Sequence, residues 1–203
     1  MRVPVVARPG TAFIYGPSHG QILCELLRRK LAARNETPFR YLEDKVLDPL
    51  GLGAVEHKED AVGNPLIASG FKLTARQWLR FGMLILHHGT FGRREIVPAS
   101  LLNECLRGTS PNPAFGMGFW LNKEASDPAA AEPDIEDMLD KKWQQQDWRN
   151  VCICRQAPPD MVVALGSGYQ RLCVIPSLDL IIVRQGENAS FSDSTFLRTL
   201  LGK

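Results

Sequence analysis

Apolar residues recur at helical spacing through the first half of the chain and at strand-like spacing through the second. After Gly20, the residues Ile22, Leu23, Leu26, Leu27 and Leu31 predict an amphipathic helix, with Arg28, Arg29 and Lys30 interposed. Thr37 and Pro38 then supply an N-cap and a first helical residue. Phe39, Leu42, Val46 and Leu47 form the stripe of this second helix, and Pro49 and Gly51 stop it. Thr74 and Gln77 make a capping box for a third helix, on which Trp78, Phe81, Gly82 and Ile85 share a face and which Gly89 ends. A fourth begins near Pro98, carries Leu101, Leu102, Cys105 and Leu106, and ends at Gly108.

Beyond residue 110 the pattern changes to short apolar runs bounded by Gly, Pro, Asn and Asp. Strands are expected at Phe115–Leu121, Val151–Cys154, Met161–Leu165, Leu172–Ile175 and Leu180–Val183. Pro176, Ser177, Leu178 and Asp179 join the last two as an antiparallel hairpin. Ser192 caps a closing helix with Phe196, Leu197, Leu200 and Leu201. Residues 123–148, acidic and then Gln-rich, read as a surface insertion with one short helix. The fold class expected is α+β within a single domain over 1–203, residues 1–110 mainly helical and 111–203 carrying the sheet.

Composition narrows the function classes. The 203 residues carry 24 Lys and Arg against 22 Asp and Glu, too even a balance to argue for a nucleic-acid partner. No stretch approaches the roughly 20 apolar residues of a membrane span, and Met1 to Pro9 lacks the apolar run of an export signal. As given, the chain reads as cytoplasmic. Cys24, Cys105, Cys152, Cys154 and Cys173 lie in apolar segments without metal-ligand spacing and read as small hydrophobes. The adjacent His87 and His88 point in different directions on a helix, and interaction with its C-terminal carbonyls is the reading they favour. No metal or organic cofactor is expected.

Several blocks, taken in order, resemble the serine β-lactamase and penicillin-binding-protein superfamily in its class C and esterase-like branch. They are Pro9-Gly10-Thr11-Ala12-Phe13-Ile14-Tyr15, Leu47-Asp48-Pro49-Leu50-Gly51-Leu52, and Ala68 through Arg76 continuing to Phe81-Gly82 and Gly89. Ile96-Val97-Pro98, Phe115 through Trp120, and Val174 through Leu180 complete the order. Residues 76–89 and 191–197 are similar to the 6-aminohexanoate-dimer hydrolases, which cleave small linear amides. The resemblance implies a β-lactamase/transpeptidase-like fold and cleavage of an amide or ester through an acyl-serine. A serine hydroxyl attacks poorly until a base takes its proton, which in this family is the work of a Lys three residues on and a loop Tyr.

The resemblance puts Tyr15 at the position of that Tyr, with Pro17 where the family usually has Asn. It aligns Ala164-Leu165-Gly166-Ser167-Gly168-Tyr169-Gln170 with the strand that lays N–H groups against the oxyanion. Gln170 N–H is then the donor, and Ser167 and Gly168 line the substrate site. The plainer alternatives are an aromatic packed beneath a loop for Tyr15 and a bulge or close packing for the glycines. The family's Ser-x-x-Lys belongs upstream of the Tyr, where only Met1 to Arg8 stand, so the chain is expected to be an N-terminally truncated, C-terminal part of such a hydrolase, inactive alone. Its expected partners are a small amide or ester, and an N-terminal half or a second copy. Ser69 and Lys72 also spell S-x-x-K before a helix and form a minor alternative nucleophile pair. A binding module on the same fold is the alternative outside catalysis.

Overall fold

In a computed structural model, described over residues 5–186 and 191–202, the chain divides into two compact bodies. One comprises residues 16–99, the other residues 1–15 with 100–203.

The first body begins with α1 (Ser18–Leu31) and α2 (Pro38–Leu42), the latter running on through a π-turn over Glu43–Leu47. Thr37 Oγ1 accepts the Arg40 N–H at 3.2 Å, so the cap is formed as its sequence dictates. The wide last turn has a chemical reason: Pro49 has no N–H for the next i→i−4 bond, and Asp48 N–H reaches back to Glu43 O instead. α3 (Ala75–Leu86) follows the Thr74–Gln77 capping box, in which the Gln77 side chain also accepts the Thr74 N–H at 2.8 Å. Its end is sharp. His88 and Gly89 both take positive φ, and a side chain at Gly89 would overlap the Val97 carbonyl, so only glycine fits. The two-residue strands β1 (Thr90–Phe91) and β2 (Arg94–Glu95) form a small hairpin behind it.

Leu47, Leu50, Leu52, Val55 and Leu84 form the core of this body, with Phe39, Leu42, Phe71 and Phe81 packed around it. The helix α1 departs from its expected stripe. Cys24 and Leu31 are buried, but Ile22, Leu23 and Leu26 are 48, 62 and 54% exposed. The reason is polar: Gln21 and Glu25 on the inner side bond to Asp60 and Asn64, fixing the helix by those contacts rather than by all of its leucines.

Helix α4 (Ala99–Cys105) leads into the second body. There β3 (Trp120–Leu121), β4 (Val162–Gly166), β5 (Gln170–Ile175) and β6 (Leu180–Arg184) form an antiparallel sheet in that order. The register pairs Val163 with Cys173 and Cys173 with Ile182, so these three lie in line on one face. Helix α5 (Ile135–Asp140) lies within the 123–148 stretch, and α6 (Asp193–Leu201) is capped by Ser192 accepting Thr195 N–H. Trp120, Ile135, Trp148, Met161, Val163, Cys173 and Leu197 are among the buried residues of one core cluster.

Two expected strands are not strands. In Phe115–Leu121 only the last two residues join the sheet, and Phe115 bridges back to Trp120 across residues 116–119, where Gly116 fits against the Cys105 carbonyl too closely for any side chain. Val151–Cys154 makes a single isolated bridge, Val151 with Ala131, and joins no sheet. The fully buried Asn122 supplies what a strand neighbour would have supplied. Its Oδ1 accepts Ile153 and Cys154 N–H at 2.8 and 3.0 Å, and its Nδ2 donates to the carbonyls of Cys154, Ala157 and Pro158. A buried loop needs such a hub, since each unpaired backbone group would cost roughly 1–3 kcal/mol.

Candidate functional site

Of the residues expected at the site, Ser167, Gly168 and Gln170 lie at the β4–β5 turn of the second body. Gly166 pairs with Gln170, leaving Ser167, Gly168 and Tyr169 as the tip, with φ of +69° at Gly168 and +59° at Tyr169. A non-glycine residue in the left-handed region is held there at a cost. Here the bracing is visible: Gln170 Nε2 donates to Gly168 O and Gly186 O at 3.1 and 2.9 Å while its Oε1 accepts Gly186 N–H. Arg184 Nη1 donates to Tyr169 O. Ser167 is exposed, whereas Gly168 and Gln170 are half-buried.

Beneath the tip lies Arg171, whose side chain is 1% exposed. Its Nε and Nη2 form a fork on Asp193, at 2.7 and 3.0 Å, and its Nη1 donates to Glu136 at 3.1 Å and to the carbonyls of Gly166 and Gln170. The guanidinium also lies 5.0 Å from the Tyr169 ring centre. Burial works against its charge, but the Asp193 and Glu136 carboxylates outweigh burial and hold the pKa above its ordinary value. This buried cation ties β5 to α5 and α6 at once. The strand expected from sequence, Leu172–Ile175, starts one residue after Arg171, and the one available signal is a lone arginine at the head of a hydrophobic run, with acidic residues distant on either side in the chain.

Tyr15 sits in the same body, against Phe115 and Trp120 with ring centres 5.6 and 5.9 Å away. Phe13, two residues earlier, inserts among Phe115, Trp120 and Trp148 and so anchors the segment. Tyr15 remains 45% exposed. Its pKa is nonetheless raised above 10.0, first by partial desolvation and then by Glu136, with Arg171 pulling the other way. At neutral pH the group is therefore a phenol that donates a proton or hydrogen bond. Forming the phenolate needs a further cation.

Ser69 and Lys72 lie in the first body and on no common helix. Ser69 closes an exposed turn over residues 67–69, while Lys72 is extended, bridges Glu56, and donates its ammonium to the Glu56 carboxylate at 2.6 Å. Helical i,i+3 geometry, which would put the two side chains on one face, is not present there. Among the described residues no group of three His, Cys, Asp or Glu is placed to hold a metal ion, and no helix is long and apolar enough to cross a membrane. The five cysteines are free thiols, and burial pushes Cys173 up to about 12.

No protein family matches this chain by its sequence profile, and no curated protein matches it by sequence. Solved structures do match. A protein described as a 6-aminohexanoate-dimer hydrolase from Bacillus anthracis aligns over 97% of this chain and 43% of its own length, at 17% identity and a TM-score of 0.64. A protein described as a β-lactamase from Bacteroides dorei aligns over 98% and 59%, at 16% identity and 0.60. A β-lactamase from Mycobacterium bovis aligns over 96% and 66%, at 18% identity and 0.61. The chain thus spans about half to two thirds of these neighbours' length. Nearly all of the chain takes the α+β fold of these neighbours, as a part of that fold's full extent.

Proposed function

We propose that this chain is the part of a serine amide or ester hydrolase that contributes the tyrosine and the oxyanion-side hairpin, and that it is inactive without a Ser-x-x-Lys segment. In the reaction envisaged, a serine Oγ from that segment attacks the substrate carbonyl carbon and gives up its proton to the Lys and Tyr15 pair. The leaving amine or alcohol takes a proton back, and water then hydrolyses the acyl-serine. Gln170 N–H is assigned to the oxyanion, with Ser167 and Gly168 lining the substrate side. The observation that carries this reading is the near-complete structural alignment of the chain with hydrolases of this fold, together with Tyr15 in the ordered Pro-Gly block. The raised pKa of Tyr15 fits a site lacking its lysine: a neighbouring ammonium is the cation that would bring the phenol down.

The test is exposure of the purified chain to a fluorophosphonate or a β-lactam, followed by intact-mass and peptide analysis. No adduct is expected on the chain alone. When the chain is joined to an upstream segment bearing Ser-x-x-Lys, the serine of that segment is expected to be labelled, and Tyr15→Phe to slow turnover by about 10²-fold or more. An adduct on Ser69 would overturn the proposal in favour of the Ser69–Lys72 pair. A joined protein that folds but neither labels nor turns over would support the binding-module alternative, which Pro17, Ser167 and Tyr169 at motif positions favour.

A further inference from the structure

Arg171 and Arg184 stand directly opposite each other on β5 and β6. Opposed residues of an antiparallel pair share one face, so this register sets like charge against like charge, which ordinarily destabilises a sheet. Arg171 is accounted for by the Asp193 and Glu136 carboxylates on which it is buried. Arg184 has a different set of contacts. Its guanidinium lies 4.0 Å from the Phe191 ring centre, and Nη1 donates to the carbonyls of Tyr169 and Gly186. Tyr169 is the residue held at φ +59°. Its carbonyl and the Gln170 N–H belong to one trans peptide, in which the two groups point in opposite directions, so a donor that fixes the carbonyl fixes the N–H as well. The carbonyls around it are held in the same manner, Gly168 O by the Gln170 side chain and Gly166 O and Gln170 O by Arg171. Two unfavourable choices, opposed arginines and a left-handed tyrosine, thus meet on one peptide. Local costs that converge in this way mark a site shaped for function rather than for stability alone.

We propose that Arg184 is a positioning residue: by holding the Tyr169 carbonyl it aims the Gln170 N–H at the oxyanion of a bound amide or ester. This rests on the hydrolase reading, in which Gln170 N–H is the oxyanion donor. Arg184 acts only through the peptide. A cation bonded to the carbonyl also polarises the peptide unit, which makes its N–H the stronger donor. Arginine suits the place, because its planar guanidinium lies over Phe191 and still has N–H groups for two carbonyls.

Kinetics of the chain joined to a Ser-x-x-Lys segment test the proposal, with Arg184→Gln and Arg184→Lys compared against wild type. Arg184→Gln is expected to lower kcat by about 10- to 100-fold with KM little changed, the pattern of a contact made only in the transition state. Arg184→Lys, which keeps a cationic donor for the Tyr169 carbonyl, is expected to recover most of that loss. On the chain alone, NMR of Arg184→Gln should show the Gln170 amide shifted and Tyr169 released from positive φ, with the β4–β5 ladder intact. Should Arg184→Gln fail to fold, Phe191→Leu replaces it: loss of the ring that seats the guanidinium is expected to lower kcat at unchanged KM, and no change overturns the inference. With wild type active, an unaffected kcat, a loss carried by KM, a Lys variant no better than the Gln variant, or an unmoved Gln170 amide overturns it too. A joined wild-type protein that folds without turning over overturns the hydrolase reading, and this inference with it.

Discussion

The two bodies are held together by different means. Residues 16–99 rely on devices close in sequence, the Thr37 cap, the Thr74–Gln77 capping box, the glycine stop at Gly89 and a core of leucines, and their long polar reaches, Gln21 to Asp60 and Asn64 to Glu25, are only part-buried. The body containing residues 100–203 depends on two buried polar side chains that reach across long stretches of chain. Asn122 bonds to backbone groups more than 30 residues on, and Arg171 bonds to Asp193 22 residues ahead and Glu136 35 residues behind. Local devices each stabilise one element, and their loss is local. A buried hub is different: its removal strands every partner at once, and several elements lose their registration together.

The sharpest way to break this comparison is to remove the hubs. Arg171→Met leaves Asp193 and Glu136 facing a buried gap without a cation, and the expected cost is about 3–5 kcal/mol, enough to unfold a marginal domain. Asn122→Ala strands the Ile153 and Cys154 N–H groups and takes one donor from three carbonyls, of which those of Cys154 and Pro158 keep a backbone N–H, with an expected loss of about 3 kcal/mol. Urea unfolding followed by near-ultraviolet circular dichroism reads both. If either variant keeps its midpoint within error, water replaces the hub, and the contrast between the bodies disappears.

Thr74→Ala, by comparison, removes one side of a capping box on an exposed helix start, and about 1 kcal/mol is expected. Its effect should be confined to the first body. Hydrogen exchange checks this directly: amides in the first turn of α3 should exchange faster, while β4 and β5 should not change. A matching loss of protection in the sheet would mean that the two bodies unfold as one unit.

The same division decides how much was legible in the sequence. The helices at Leu23, Phe39 and Phe81 announce themselves through periodicity and caps because those signals are written within a few residues. The three sheet strands after Asp160 are equally plain, being β-rich runs with turn residues between them. Illegible were the features that need a distant partner. Asn122 looks like a loop residue until Cys154 and Pro158 come to it, and Arg171 looks like a surface charge until Asp193 closes over it. Val151–Cys154 has the composition of a strand, yet a side chain outbid the ladder for its backbone. For the candidate site, the tyrosine position comes from block order rather than from physics, and its pKa is raised first by burial and then by Glu136, a residue no local pattern connects to Tyr15.

The smallest expected effect lies at Lys72, and it separates chemistry from coincidence. Lys72 and Glu56 are both well exposed, at 63 and 67%, so Lys72→Gln should leave the urea midpoint at neutral pH unchanged within measurement. The direction of its pH dependence is fixed. Lys72 holds the Glu56 carboxyl below its ordinary 4.5, so whatever the pair contributes is present above that value and is lost as pH falls through the lowered pKa. Wild type and Lys72→Gln should then converge in acid, and any small difference between them should appear only at neutral pH and shrink with added salt. A large loss of stability at neutral pH would show that this surface pair anchors the extended Phe71–Leu73 segment. That would add an exposed ion pair 16 residues apart to the part-buried reaches of Gln21 and Glu25, and blur the line drawn between the two bodies.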